Sequence, residues 1–75
     1  SPYHFARAFR HDFGDTPHGY VQRRRLARAC DLIRHDRFGL AEIALAVGYS
    51  SQSRMNEVFA RELGTTPGAY RRQIR

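Results

Sequence analysis

The chain has no lysine, no tryptophan, a single cysteine and no long apolar run. Each scarcity excludes something. Cys30 alone cannot close an internal disulfide, so a disulfide scaffold is ruled out and a reducing compartment, the cytoplasm, is expected. Without a long apolar stretch nothing is expected to span a membrane. The opening Ser1-Pro2-Tyr3-His4 has neither a basic head nor an apolar core, so it does not read as a secretory signal. It also lacks an initiator methionine, which suggests a processed chain or an excised piece. The four histidines form no helical pair with a carboxylate between them, and one cysteine cannot build a structural zinc site. There is no glycine-rich phosphate loop and no nucleophile elbow. His35-Asp36 reads as part of a turn rather than a catalytic pair. No metal, cofactor or enzymatic activity is therefore expected.

What the chain does have is arginine. All 13 basic residues are arginines, set against seven acids, for a net charge of +6 in 75 residues. Such an excess favours a polyanionic partner, either nucleic acid or an anionic membrane. The length allows one small domain, which hides only about 60% of its unfolded surface and is marginal in stability.

The sequence also repeats itself. Shifted by 50, residues 1–25 fall on residues 51–75 with seven identical pairs: Ser1/Ser51, Phe9/Phe59, Gly14/Gly64, Thr16/Thr66, Pro17/Pro67, Tyr20/Tyr70 and Arg25/Arg75. Most of these are caps, breakers and core positions. In the first copy Ser1 caps a helix, Phe5, Ala8, Phe9 and Phe13 form its apolar face, and Gly14 stops it. Thr16-Pro17 then starts another. In the second copy Ser51 caps, Met55, Val58, Phe59 and Leu63 form the face, Gly64 stops it, and Thr66-Pro67 restarts.

Between the copies, Leu26, Ala29, Cys30 and Ile33 keep helical spacing and predict a long helix over 17–35. Leu40, Ile43, Ala44 and Val47 predict a further amphipathic helix, with Gly39 as its cap and Gly48 as its stop. The short turn at Gly48 joins two such helices, which is a helix-turn-helix pattern over 40–63. A last helix is expected over 66–75. No stretch alternates with period two, so the expected class is all-α. The second copy has a helix before its cap and the first does not. The repeat thus predicts a first unit lacking its leading helix, with low stability or self-association as the consequence.

The run Glu42-Ile43-Ala44, Val47-Gly48-Tyr49-Ser50, Phe59, Gly64, Thr66-Pro67 and Tyr70-Arg71 resembles the signature of the AraC/XylS transcription regulators of bacteria. Arg25-Leu26, Ala29 and Leu32-Ile33 resemble that family's linker helix. The resemblance implies a homeodomain-like DNA-binding domain with two helix-turn-helix units joined by a long helix. It implies that residues 1–14 carry the first recognition helix and residues 51–63 the second. Double-stranded DNA is the implied partner. Pro2, Tyr3, Ala6 and Arg7 are implied at the bases in the first unit, and Gln52, Ser53, Asn56 and Glu57 in the second.

The chemistry of those residues suits the task. The Arg7 guanidinium can take both acceptors of a guanine edge, and the amides of Gln52 and Asn56, one turn apart, can pair with adenine. Ala6 offers a methyl contact to thymine, while Glu57 can accept from a cytosine amino group but repels phosphate. Arg10, His11, Arg54, Arg61, Arg71 and Arg72 are candidates for phosphate. Arg23, Arg24 and Arg25 read instead as a solvated or ion-paired face of the linker helix, with Asp31 among the available acids and a structural role open to Arg25. Cys30 reads as a small core residue. Two other classes fit the composition less well. One is a protein-interaction module touching RNA polymerase through residues 54–75, a contact the resemblance also implies. The other is a cationic membrane-active peptide, against which the Gly and Thr-Pro punctuation argues.

Overall fold

The structure, a computed structural model, describes residues 16–35 and 37–74. It is all-helical over those residues, in the class the periodicities predict. Four helices follow in order: α1 (Pro17–His35), α2 (Leu40–Ala46), α3 (Gln52–Leu63) and α4 (Pro67–Gln73). The expected recognition helix over 1–14, with the missing-helix expectation attached to it, lies outside the described residues.

Side chains set where each helix begins. Thr16 Oγ1 accepts from the Gly19 amide at 2.9 Å, with Pro17 at the first helical position. Ser51 Oγ accepts from the Arg54 amide and Thr66 Oγ1 from the Ala69 amide, each at 3.1 Å. Gly39 has no side chain to offer, so the cap is reversed. The Glu42 carboxylate reaches back to accept from the Gly39 amide at 3.2 Å.

Glycines set where two of them end. Past α2, Gly48 adopts φ 104° and donates to the Leu45 carbonyl at 3.2 Å. The Tyr49 amide then reaches the Ala44 carbonyl at 2.9 Å. These paired bonds are a Schellman ending. Past α3, Gly64 adopts φ 71° and donates to the Ala60 carbonyl at 3.1 Å.

One core holds the four helices. α1 contributes Leu26, Ala29, Cys30 and Ile33, α2 contributes Ile43 and Ala44, and α3 contributes Met55, Val58 and Phe59. Tyr49, in the turn between α2 and α3, is buried with them. α4 closes the far side through Tyr70, whose ring meets Phe59 at a centroid distance of 6.1 Å and an angle of 57°. Two arginines tie elements distant in sequence. Arg34 Nη1 donates to the Tyr70 hydroxyl at 3.2 Å, and Arg71 Nη2 donates to the Phe38 carbonyl at 2.8 Å. α2, its turn and α3 form the helix-turn-helix, and α1 lies across it as a brace.

Candidate nucleic-acid interface

α3 buries Met55, Val58, Phe59 and Glu62, spaced i, i+3, i+4, i+7 along one face. That spacing turns Ser53, Arg54 and Glu57 to solvent and leaves Gln52 and Asn56 half-buried at the boundary. Ser51, by capping the helix, fixes the first turn on which Gln52 and Ser53 stand. The four residues expected at the bases in this unit are therefore brought together on the N-terminal half of one anchored helix. Pro2, Tyr3, Ala6 and Arg7, with Arg10 and His11, lie outside the described residues.

The charges on this surface are partly matched. Arg54 Nη1 meets Glu57 Oε2 at 3.4 Å, with both side chains well exposed, so the pair is weak and easily exchanged for another partner. Its presence still moderates the repulsion that Glu57 would exert on phosphate. Arg61 Nε donates to Glu62 Oε2 at 2.7 Å while its own side chain stays exposed. On α4, Arg72 is exposed. Arg71 is half-buried and its guanidinium is bound to the Phe38 carbonyl, which gives it a structural task. Asp31 pairs with Arg34 at 3.1 Å on α1. The Arg34 guanidinium is held above its ordinary pKa chiefly by the Tyr70 hydroxyl it bonds, with Asp31 adding to the effect.

Contacts across the fold that no sequence pattern announces also shape this region. Tyr49 is buried in the turn before the Ser51 cap. The Arg25 guanidinium sits over its ring, 5.5 Å from the centroid, so α1 grips the helix-turn-helix at its turn. Burial pushes the Tyr49 phenol up to about 12, against the pull of Arg25, Arg54 and Arg61. The Cys30 thiol is likewise pushed up to about 12 by burial. Glu62 sits on the buried face of α3, where its i+7 position relative to Met55 was a signal available in the sequence.

Among the described residues no group of three or more His, Cys, Asp or Glu is placed to hold a metal ion, and no helix is long and apolar enough to cross a membrane.

The amino-acid sequence has relatives. A family model described as a helix-turn-helix domain matches residues 1–73. The chain is 38% identical over 71 residues to an RCS-specific HTH-type transcriptional activator of Escherichia coli, a match that covers 95% of this chain and 25% of the relative. It is 39% identical over 71 residues to a probable transcriptional regulator of Photobacterium leiognathi, covering 95% of this chain and 29% of the relative. It is also 39% identical over 67 residues to a putative AraC-like transcription regulator of Streptomyces lividans, covering 89% of this chain and 22% of the relative. The chain thus spans about a quarter of the length of the curated relatives it matches. No solved structure matches it. By its family match, its relatives and its helix-turn-helix fold, the chain belongs to the AraC-type helix-turn-helix transcription regulators.

Proposed function

We propose that the chain binds double-stranded DNA sequence-specifically, with α3 lying in the major groove, as part of a bacterial transcription regulator working in the cytoplasm. The observation that carries this reading is the outward face of α3. Gln52, Ser53, Asn56 and Glu57 share its N-terminal half while Met55, Val58 and Phe59 anchor the opposite side in the core. Side chains on the first two turns of a recognition helix are the ones that reach base edges. Gln52 and Asn56 read adenine through N6 and N7, and Glu57 accepts from a cytosine amino group. Arg54, Arg61 and Arg72 supply the sequence-independent attraction to phosphate. Arg71 is the least suited to that role, because its guanidinium already holds Phe38.

In the first unit, Pro2, Tyr3, Ala6 and Arg7 read bases, with Arg10 and His11 at phosphates. Its half-site lies about one helical turn, roughly 34 Å, along the duplex. The test is selection from a random duplex library, followed by titration of the winning and a scrambled duplex. A motif in two parts one turn apart is the expected product. Gln52→Ala and Asn56→Ala should each cost about 1–3 kcal/mol on the winning duplex and relax one base position apiece. Variants that keep full affinity and full selectivity would refute base reading by α3.

A further inference from the structure

A groove of about 510 Å³ opens between the first turns of α1 and the turn that leads into α3. Its lining includes His18 and Arg25 from α1, Tyr49 from the turn, and Arg54 and Arg61 from α3. No described carboxylate lines it. Glu57 and Glu62, which engage Arg54 and Arg61, are not among its lining residues. Arg25 has no ion pair among the described residues, and its guanidinium rests on the Tyr49 ring.

Tyr49 lines the groove as a ring rather than as a donor, since it is 4% exposed and the Arg25 guanidinium lies over its ring. The groove therefore gathers several cationic donors with no described carboxylate among them. An oxyanion supplies what these donors require.

We propose that this groove is a phosphate site, whose occupant is a phosphodiester of the DNA backbone held by Arg25 and Arg61. The inference rests on the DNA-binding reading above and extends it. It makes the long helix α1 a DNA-contacting element in its own right, rather than a brace between two readers. It also gives Arg25 two partners, the Tyr49 ring beneath it and a phosphate beside it.

The experiment is a fluorescence-anisotropy titration of the chain with its selected duplex and a scrambled one, at several salt concentrations. Neutralising one phosphate contributes about −0.9 to the slope of log K against log salt. Arg25→Gln should weaken both duplexes to the same degree and flatten the slope by about 0.9, whereas Arg25→Lys should retain it. Gln52→Ala is the contrast, affecting the selected duplex alone with an unchanged slope. If Gln52→Ala has no effect while Arg25→Gln flattens the slope, base reading fails and the phosphate site stands. An unchanged slope in a folded Arg25→Gln variant overturns the proposal.

Arg61→Gln, at an exposed side chain, guards against the case in which Arg25→Gln does not fold. It leaves Arg25 on the Tyr49 ring and removes the other arginine of the cradle. A slope flattened by about 0.9 on both duplexes is the expected result, and an unchanged slope overturns the cradle. A last arm separates sources of phosphate. Inorganic phosphate exchanged for chloride at constant ionic strength should leave duplex affinity unaltered. Displacement of the duplex from the wild type, but not from Arg25→Gln, would reassign the groove to free phosphate and overturn the proposal. A wild-type chain that binds neither duplex overturns both readings together.

Discussion

Gly48→Ala tests the joint between α1 and the helix-turn-helix more sharply than any other single change. Gly48 ends α2 with φ 104°, and a Cβ built there would lie 3.1 Å from Arg25 Nε and 3.2 Å from Nη2. Two costs combine. An L-residue held in the left-handed region costs about 1–2 kcal/mol. Pushing the guanidinium off the Tyr49 ring forfeits about 0.5–1 kcal/mol of cation–π attraction. The sum is about 2 kcal/mol, which lowers the melting temperature of a domain this small by about 8–16 °C. Gly64→Ala is the internal standard. Its φ of 71° is also left-handed, but nothing lies within 4 Å of its added Cβ, so only the backbone cost applies. Thermal melts by circular dichroism of both variants, alone and on an Arg25→Gln background, separate the two costs. Gly48→Ala should lose more than Gly64→Ala, and the excess should shrink once Arg25 is glutamine, leaving the larger backbone cost of φ 104°. Equal losses in all backgrounds would refute the account of Arg25 as the packing partner of this turn.

Three further outcomes follow from the same contacts. Ser51→Ala and Thr66→Ala each remove a helix cap and should cost about 1 kcal/mol, or about 4–8 °C in melting temperature, whereas Ser51→Asp should keep most of it; an Asp variant as unstable as the alanine one would argue against capping. Phe59→Ala, at the centre of the core, should cost about 3–5 kcal/mol, enough to leave little helix signal at 25 °C, and a cooperative melt near the wild-type temperature would contradict the packing. Cys30 and Tyr49 hold their protons more tightly when folded, with values raised to about 12 from 9.0 and 10.0. Their contribution is intact below about pH 9 and is lost as pH rises toward 12, because the unfolded chain releases those protons first. Cys30→Ala and Tyr49→Phe should each flatten that alkaline decline in melts taken across the range, and curves superimposable on the wild type would refute it.

The helix boundaries were legible because the signals that set them are local. Thr16-Pro17, Gly48, Ser51, Gly64 and Thr66-Pro67 act through bonds spanning three to five residues, all of them within view of a sequence pattern. The apolar faces of α1 and α3 were legible for the same reason. What escaped were pairings across the fold. The stack of Arg25 on Tyr49 joins positions far apart in the chain, and no periodicity announces it. The bond from Arg71 to the Phe38 carbonyl gives a structural task to a residue that charge alone assigned to phosphate. Glu62 is a different case. Its spacing placed it on the buried face, but its charge argued for solvent, and spacing prevailed with Arg61 supplying a partner. Of the candidate site, the cluster on α3 was legible from the helix phase together with the family resemblance. The groove beside it was not, since its walls come from three separate elements.

The unequal lengths of the helices bear on how the chain folds. α2 and α4 have seven residues each, while α1 has 19. A helix below about 12–15 residues is marginal in water on its own, because the first turn fixes several dihedral angles for a single hydrogen bond. α2 and α4 are therefore expected to form late, on a surface laid down by α1 and the longer α3. Such an order predicts a folding nucleus in which Leu26, Ile33 and Phe59 make contact early, and Ile43 and Tyr70 join after the barrier. Core truncations in the first group should slow folding, and those in the second should mainly hasten unfolding. A helix-turn-helix whose first helix joins last takes its shape from the long helix behind it, while α3, with its candidate base-contacting residues, is in place before the unit closes.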